Sequence, residues 1–170
     1  CGPIFGGDVF EQLMMNGESI EKAVNGFDIL VPELAKLEGY TILSHYGNSH
    51  YIKDYQTALE ILLNKYPEFK DSVKEYNCGH DGYFTNCYIM SRKEFFAYME
   101  WLFSILFEAD AKIPEYKNFY DNRVVGFVAE RLFGIYITQL KKSKEHKIKE
   151  LQQVLYLPTK KDVIPVVFAV

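Results

Sequence analysis

Tyr83-Phe84-Thr85-Asn86-Cys87-Tyr88-Ile89-Met90 is rich in strand formers, and Ser91-Arg92-Lys93-Glu94 follows at once. The first stretch predicts a strand. The second is a capping box, in which the Ser91 hydroxyl satisfies an early helix N–H and Glu94, three residues on, returns the bond. Behind it Phe95, Tyr98, Met99, Leu102, Phe103 and Leu106 recur at helical spacing, so the strand is expected to lead directly into a long helix. Downstream, residues 121–140 place Val124, Phe127, Val128, Leu132 and Ile135 at the same spacing and predict a second helix. Upstream, residues 54–65 predict a helix with Asp54 near its start, and Pro67 opens another that runs to about Tyr76. Phe27-Asp28-Ile29-Leu30-Val31, ended by Pro32, and residues 40–43 read as short strands. Residues 11–24 carry helix formers interrupted by Asn16-Gly17, giving two short helices or a helix and a turn. Residues 141–147 read as a charged, solvated connection. The sum is a helix-rich α/β or α+β chain with a few short strands.

A length of 170 residues suits a single core. Nineteen Lys and Arg against 23 Asp and Glu leave a net charge of −4. No broad cationic surface follows, which argues against nucleic acid or an anionic membrane as the main partner. No apolar run approaches the ~18–20 residues of a membrane span. Aromatic residues make up 16%, with 13 Tyr and 13 Phe, enough for a large core and for tyrosine surfaces that contact sugars or proteins. Three cysteines cannot all pair, and without a secretion signal they favour reduced thiols in a cytoplasmic setting. Cys78, His80 and Cys87 are spaced C-x-H-x₆-C, unlike the paired spacings of structural zinc, so ordinary thiols are the default and no metal ligand is assigned. The chain opens on Cys1-Gly2-Pro3 and closes on Val163-Ile164-Pro165-Val166-Val167-Phe168-Ala169-Val170, an apolar β-branched run that reads as a buried strand cut at its end. An excised piece of a multidomain polypeptide is expected.

Three constellations carry candidate chemistry. Residues 45–54 (His45-Tyr46-Gly47-Asn48-Ser49-His50-Tyr51-Ile52-Lys53-Asp54) gather imidazoles, hydroxyls and an amide at a loop-to-helix mouth. His50 and Asp54 there are candidates to bind a sugar or phosphate, or Asp54 is simply a helix cap. Gly79-His80-Asp81-Gly82 sets two titratable groups on a glycine-flanked loop, a binding loop or a tight turn, with Asn86 just beyond. Arg123, Gly126, Phe127 and Glu130 share one helical face. A carboxylate on a largely apolar face is costly unless paired or functional, so Glu130 is a general base or a structural acid. No phosphate-loop, dinucleotide-binding, nucleophile-elbow or D-x-D motif is present.

The order N-x-x-I-M (Asn86 to Met90), E-W-L-F-x-I-L-F-E (Glu100 to Glu108) and R-x-x-G-F-x-x-E-R-L (Arg123 to Leu132) resembles the domain of unknown function 4422 family. That family occurs in bacterial capsular-polysaccharide and lipopolysaccharide biosynthesis clusters and is regarded as glycosyltransferase-like. Phe27 to Pro32 and the Tyr46, His50 and Asp54 stretch resemble its upstream features. The resemblance implies the C-terminal part of a glycosyltransferase A-like nucleotide-sugar fold, with an N-terminal half expected before Cys1. It implies residues 1–140 as a glycosyltransferase-like domain, 141–162 as a charged connection, and 163–170 as the start of a following domain. That last run is similar to the opening strand of family 8 glycosyltransferases. Transfer of a sugar from a nucleotide-sugar donor to a surface-polysaccharide glycan acceptor is the implied reaction. Glu130 would be the base, Arg123 and Arg131 would orient it or meet phosphate, and His80, Asp81 and Asn86 would meet hydroxyls. The resemblance leaves room for a divalent metal, Mn or Mg, in the intact enzyme, with none expected in this chain alone. It places the protein in the cytoplasm or at the inner face of the membrane, beside a neighbouring glycosyltransferase domain. The alternative is a non-catalytic glycan-binding or docking module fused to a glycosyltransferase.

Overall fold

Ile29–Pro32 (β1) is the middle strand of a three-stranded sheet in the structure, a computed structural model that describes residues 16–155 and 166–168. Ile89–Met90 (β4) pairs with it antiparallel, and Ile148–Leu151 (β5) pairs parallel, with Ile29 opposite Ile148 and Pro32 opposite Leu151. A proline is tolerated in this middle strand because backbone N–H groups alternate sides along it. Ile29 and Glu33 donate toward the β5 side, to Lys147 O at 3.3 Å and Leu151 O at 2.9 Å. The even position, Pro32, faces the other side, beyond the two residues that β4 covers.

These strands belong to a unit made of Cys1–Glu33, Cys87–Met90 and Lys147–Val170. Its helix α1, Gly17–Val24, starts where Asn16 Oδ1 accepts the Ser19 N–H at 2.8 Å. The Asn16-Gly17 interruption is therefore a helix start, and residues 11–15 of the expected segment lie outside the described ones. Ala23, Leu30 and Leu151 form the buried cluster, with Val24 and Ile89 packed on it. Gln153–Leu155 (β6) and Val166–Phe168 (β7) pair antiparallel. The rest of the apolar run at 163–170 lies outside the described residues.

The second unit, Leu34–Asn86 with Ser91–His146, is helical. A two-stranded ribbon, Ala35–Lys36 (β2) with Asp81–Gly82 (β3), accompanies five helices: α2 Ile42–Ser49, α3 Ile52–Lys65, α4 Lys70–Cys78, α5 Arg92–Asp110 and α6 Val124–Ser143. Short 3₁₀ turns, Pro67–Phe69 and Asp121–Arg123, lead into α4 and α6. α6 packs against α3, α4 and α5, and its residues from Arg131 to Ile137 are all buried, so it is the axis of this unit.

Four expectations change. Residues 40–43 are not a strand. Thr41 and Ser44 cap one another, with Ser44 N–H donating to Thr41 Oγ1 at 3.2 Å and Thr41 N–H to Ser44 Oγ at 2.9 Å, and α2 begins at Ile42. Of the strand expected over 83–90, Ile89 and Met90 form one, because Tyr83 packs edge-on against Phe133 and Phe84 sits 4.8 Å from the Arg131 guanidinium. These tertiary contacts override strand propensity. Ser91 Oγ does cap α5 at Glu94 N–H, but the Glu94 carboxylate is 3.1 Å from His146 Nε2 instead of returning to Ser91. The charged segment from 141 starts as helix. Lys141 Nζ donates to Tyr83 OH at 3.0 Å, and Lys142 Nζ lies 3.0 Å from Glu75.

Candidate active site

α2 stops at Ser49 and α3 starts at Ile52, and the two residues between, His50 and Tyr51, project their rings across the break. The first turns of α6 meet the His50 ring. The His50 ring stacks on Phe127 with centroids 4.0 Å apart at 17° and lies 5.9 Å from Tyr120. Arg123, exposed at the N-terminus of α6, holds its guanidinium 5.3 Å from the same Phe127 ring. One turn further along that face is Glu130, its side chain 25% exposed.

Glu130 Oε2 accepts from Arg131 Nη1 at 3.0 Å, and Oε1 has no hydrogen-bond partner among the described residues. Burial raises the Glu130 pKa above the ordinary carboxylate value, while Arg131 and Arg123 pull it back, and burial prevails. Arg131 is buried, with its guanidinium 5.5 Å from the Tyr46 ring as well as against Phe84. Its Nη2 is 3.4 Å from His45 Nδ1. A guanidinium only donates, so Nδ1 accepts and the proton sits on Nε2. Burial and then the Arg131 charge lower the His45 pKa, which keeps the ring in that neutral form. The His50 pKa is lowered by the same two causes and by His45, against the opposing pull of Asp121.

Asp54 does not cap α3. Its buried carboxylate takes the Tyr116 hydroxyl through both oxygens, at 3.1 and 2.9 Å, and burial raises its pKa. Tyr116 is itself pushed up to about 12 by burial and by that bond. It lies 4.7 Å from the Tyr51 ring, nearly parallel at 5°. Through Asp54 the loop at 111–120 is fastened to α3.

His80 and Asp81 lie elsewhere in this unit. They border a pocket of about 380 Å³ that also has Glu75, Tyr83, Thr138 and Lys141 in its wall. His80 Nδ1 donates to Tyr40 O at 2.7 Å, and Asp81 pairs with Lys36 in the ribbon. Asn86 is exposed. Of the residues expected at a site, Glu130, Arg123, Arg131 and His50 therefore share one centre with Asp54 at its edge. His80 and Asp81 share a second, and Asn86 joins neither by any bond described. Sequence reasoning left out Phe84, Tyr116 and Tyr120. For Tyr116 and Tyr120 the signal was the aromatic density of 116–120, which has no period to single it out, whereas Phe84 read as part of a strand.

The centre does not fit a divalent metal. Glu130 gives one carboxylate oxygen to Arg131 and Asp54 gives both of its own to Tyr116, two arginines face the centre, and among the described residues no three His, Cys, Asp or Glu side chains gather as ligands. No helix of the described residues is long and apolar enough to cross a membrane.

The family model described as Domain of unknown function (DUF4422) matches residues 7–143. No curated protein matches. Among solved structures, the apo form of WbbM, a bifunctional glycosyltransferase, superimposes with a TM-score of 0.80 at 38% identity over 89% of this chain. The chain spans 28% of that protein's length.

Proposed function

The chain belongs to the DUF4422 family, and from that premise we propose that it takes part in glycosyl transfer, moving a sugar from a nucleotide-sugar donor to a bacterial surface-polysaccharide acceptor. The observation that carries the reading is the state of Glu130. It is a partly exposed carboxylate, raised in pKa by burial, held through one oxygen by Arg131 and without a described partner on the other. A general base works best with a pKa moved toward the working pH and a fixed orientation. In the reaction, Glu130 takes the proton of an acceptor hydroxyl as that oxygen bonds to the anomeric carbon of the donor. The bond from that carbon to the diphosphate breaks, and the electron pair leaves with the nucleoside diphosphate. Arg123, exposed on the same helix face two turns from Glu130, is suited to the departing charge, and buried Arg131 fixes the base. His80 and Asp81, at the second pocket, are the proposed contacts for further sugar hydroxyls.

Glu130→Gln in the full-length polypeptide tests the base. Sugar transfer followed with radiolabelled donor is expected to fall about 10²–10⁴-fold in kcat. Transfer at the parent rate removes Glu130 from that role. A second reading, a non-catalytic glycan-binding or docking module, draws on the span of 28% of the glycosyltransferase it matches. Thermal stabilisation by glycans with none by UDP-sugars favours that reading.

A further inference from the structure

Beside the Glu130 face stands a group of rings that the proposed chemistry does not use. Tyr51 is 54% exposed, Tyr120 52% and Phe119 85%. Rings exposed singly are ordinary, but several open rings gathered beside one site mark a binding surface, since covering apolar area is worth ~25 cal/mol per Å². They are not set on a slack loop. Tyr116 N–H donates to Asn122 Oδ1 at 2.8 Å, Asp121 N–H donates to Asn118 Oδ1 at 2.7 Å, and Asp54 holds the Tyr116 hydroxyl. Tyr116 in turn stacks on Tyr51, while Tyr120 lies 5.1 Å from Phe127 on the helix that carries Glu130. A surface fixed in advance loses little freedom when something settles on it.

The border of the patch decides what settles there. Asp121, Asn122, Arg123 and the His50 ring edge the aromatics, so apolar faces alternate with hydrogen-bond donors and acceptors. An apolar protein face would cover the rings and strip these polar groups of water without replacing it. A saccharide matches both, because its C–H faces lie on aromatic rings while its hydroxyls meet the polar rim. We propose that Tyr51, Tyr116 and Tyr120 form a platform for the acceptor saccharide, continuous through Phe127 with the Glu130 helix face. The inference rests on the glycosyl-transfer reading and assigns the acceptor side of that site. Asp54 is a positioning residue in it, acting through Tyr116.

The test uses the full-length polypeptide. Tyr51→Ala and Tyr120→Ala are expected to raise the acceptor KM about three- to tenfold each. The donor KM stays at the parent value, and Tyr51→Phe and Tyr120→Phe hold the acceptor KM near the parent. Asp54→Asn, which weakens the Tyr116 bond, moves the acceptor KM in the same direction with kcat retained. Independently of any variant, NMR on the parent protein with millimolar methyl glycosides of galactose, glucose, mannose and N-acetylglucosamine is expected to show magnetisation passing between tyrosine ring protons and sugar C–H protons. An unchanged acceptor KM in both alanine variants, or no such transfer with any of the four glycosides, overturns the platform. If Glu130→Gln still abolishes turnover in that case, the glycosyl-transfer reading stands without it. Conversely, a raised acceptor KM in the tyrosine variants with full activity in Glu130→Gln retains the platform and removes the base. Concentration-dependent dimerisation that Tyr120→Ala abolishes would make the patch an interface between copies and overturn the proposal.

Discussion

Arg131 organises its neighbours through a chemical restriction: its guanidinium donates and never accepts, so Glu130 and His45 must both present lone pairs to it. For His45 that requires the neutral ring, and burial together with the Arg131 charge holds both His45 and His50 below their ordinary 6.5. An unfolded chain binds protons at 6.5 that the folded chain refuses, so the stability these rings contribute is complete above 6.5 and is lost as the pH falls through their lowered native values. Asp54 and Glu130 have the opposite sign. Their native pKa values lie above the ordinary 3.8 and 4.5, so each stabilises the fold below those values and loses that contribution as the pH rises through the native one. The expected outcome is a urea midpoint lower at about pH 5.5 than at about pH 7.5, with the difference reduced or reversed in His45→Gln/His50→Gln. An equally steep loss in the double variant would place the acid sensitivity in other groups.

Two glycines in α6 have opposite consequences. A Cβ added at Gly134 would overlap the Tyr76 ring, whose hydroxyl accepts the Tyr83 N–H at 3.2 Å. A Cβ at Gly126 meets nothing within 4 Å. Alanine is worth ~1 kcal/mol over glycine inside a helix, and that gain is realised only where the space is empty. Gly126→Ala is expected to raise unfolding stability by up to ~1 kcal/mol, and Gly134→Ala to lower it by about 1–3 kcal/mol as overpacking outweighs propensity. Chemical denaturation of both variants checks the pair, and equal shifts would mean that Tyr76 yields freely. The same helix shows what the sequence made legible. Its apolar spacing and the shared face of Arg123, Phe127 and Glu130 are local regularities, and the α5 cap at Ser91 is equally local. Tyr83 and Phe84 misled because their rings are committed to partners some 50 residues away, a choice that strand propensity does not encode. The loop at 111–120 was missed for the same reason, its anchoring bond joining residues 54 and 116.

The family resemblance read from three short motifs is matched by a family model over residues 7–143 and by a solved glycosyltransferase at 38% identity. What no motif carried is how the chain divides. Its path passes between two units four times, and the sheet of the first is assembled from three separated stretches, Ile29–Pro32, Ile89–Met90 and Ile148–Leu151. Strand pairing over such separations costs loop closure before any ladder bond forms, so the entry of β5 into the sheet needs its own fastening. Asp28 supplies it. Its carboxylate accepts the Lys147 N–H at 2.8 Å while its own N–H donates to Lys147 O at 2.9 Å, closing a ring of bonds across 119 residues immediately before β1 and β5 begin to pair. Asp28→Ala removes one of those bonds at an exposed position, where water replaces the lost partner, so the cost should be about 1 kcal/mol. The loss falls on the β1–β5 ladder. Amide hydrogen exchange at Ile148–Leu151 is therefore expected to quicken about fivefold, since ~1 kcal/mol of opening free energy sets that factor, while the amides of α5 and α6 in the second unit keep their parent rates. Uniformly faster exchange in both units would show that the sheet and the helical unit open as one cooperative body. Unchanged exchange at Ile148–Leu151 would show that the ladder alone holds β5 in place.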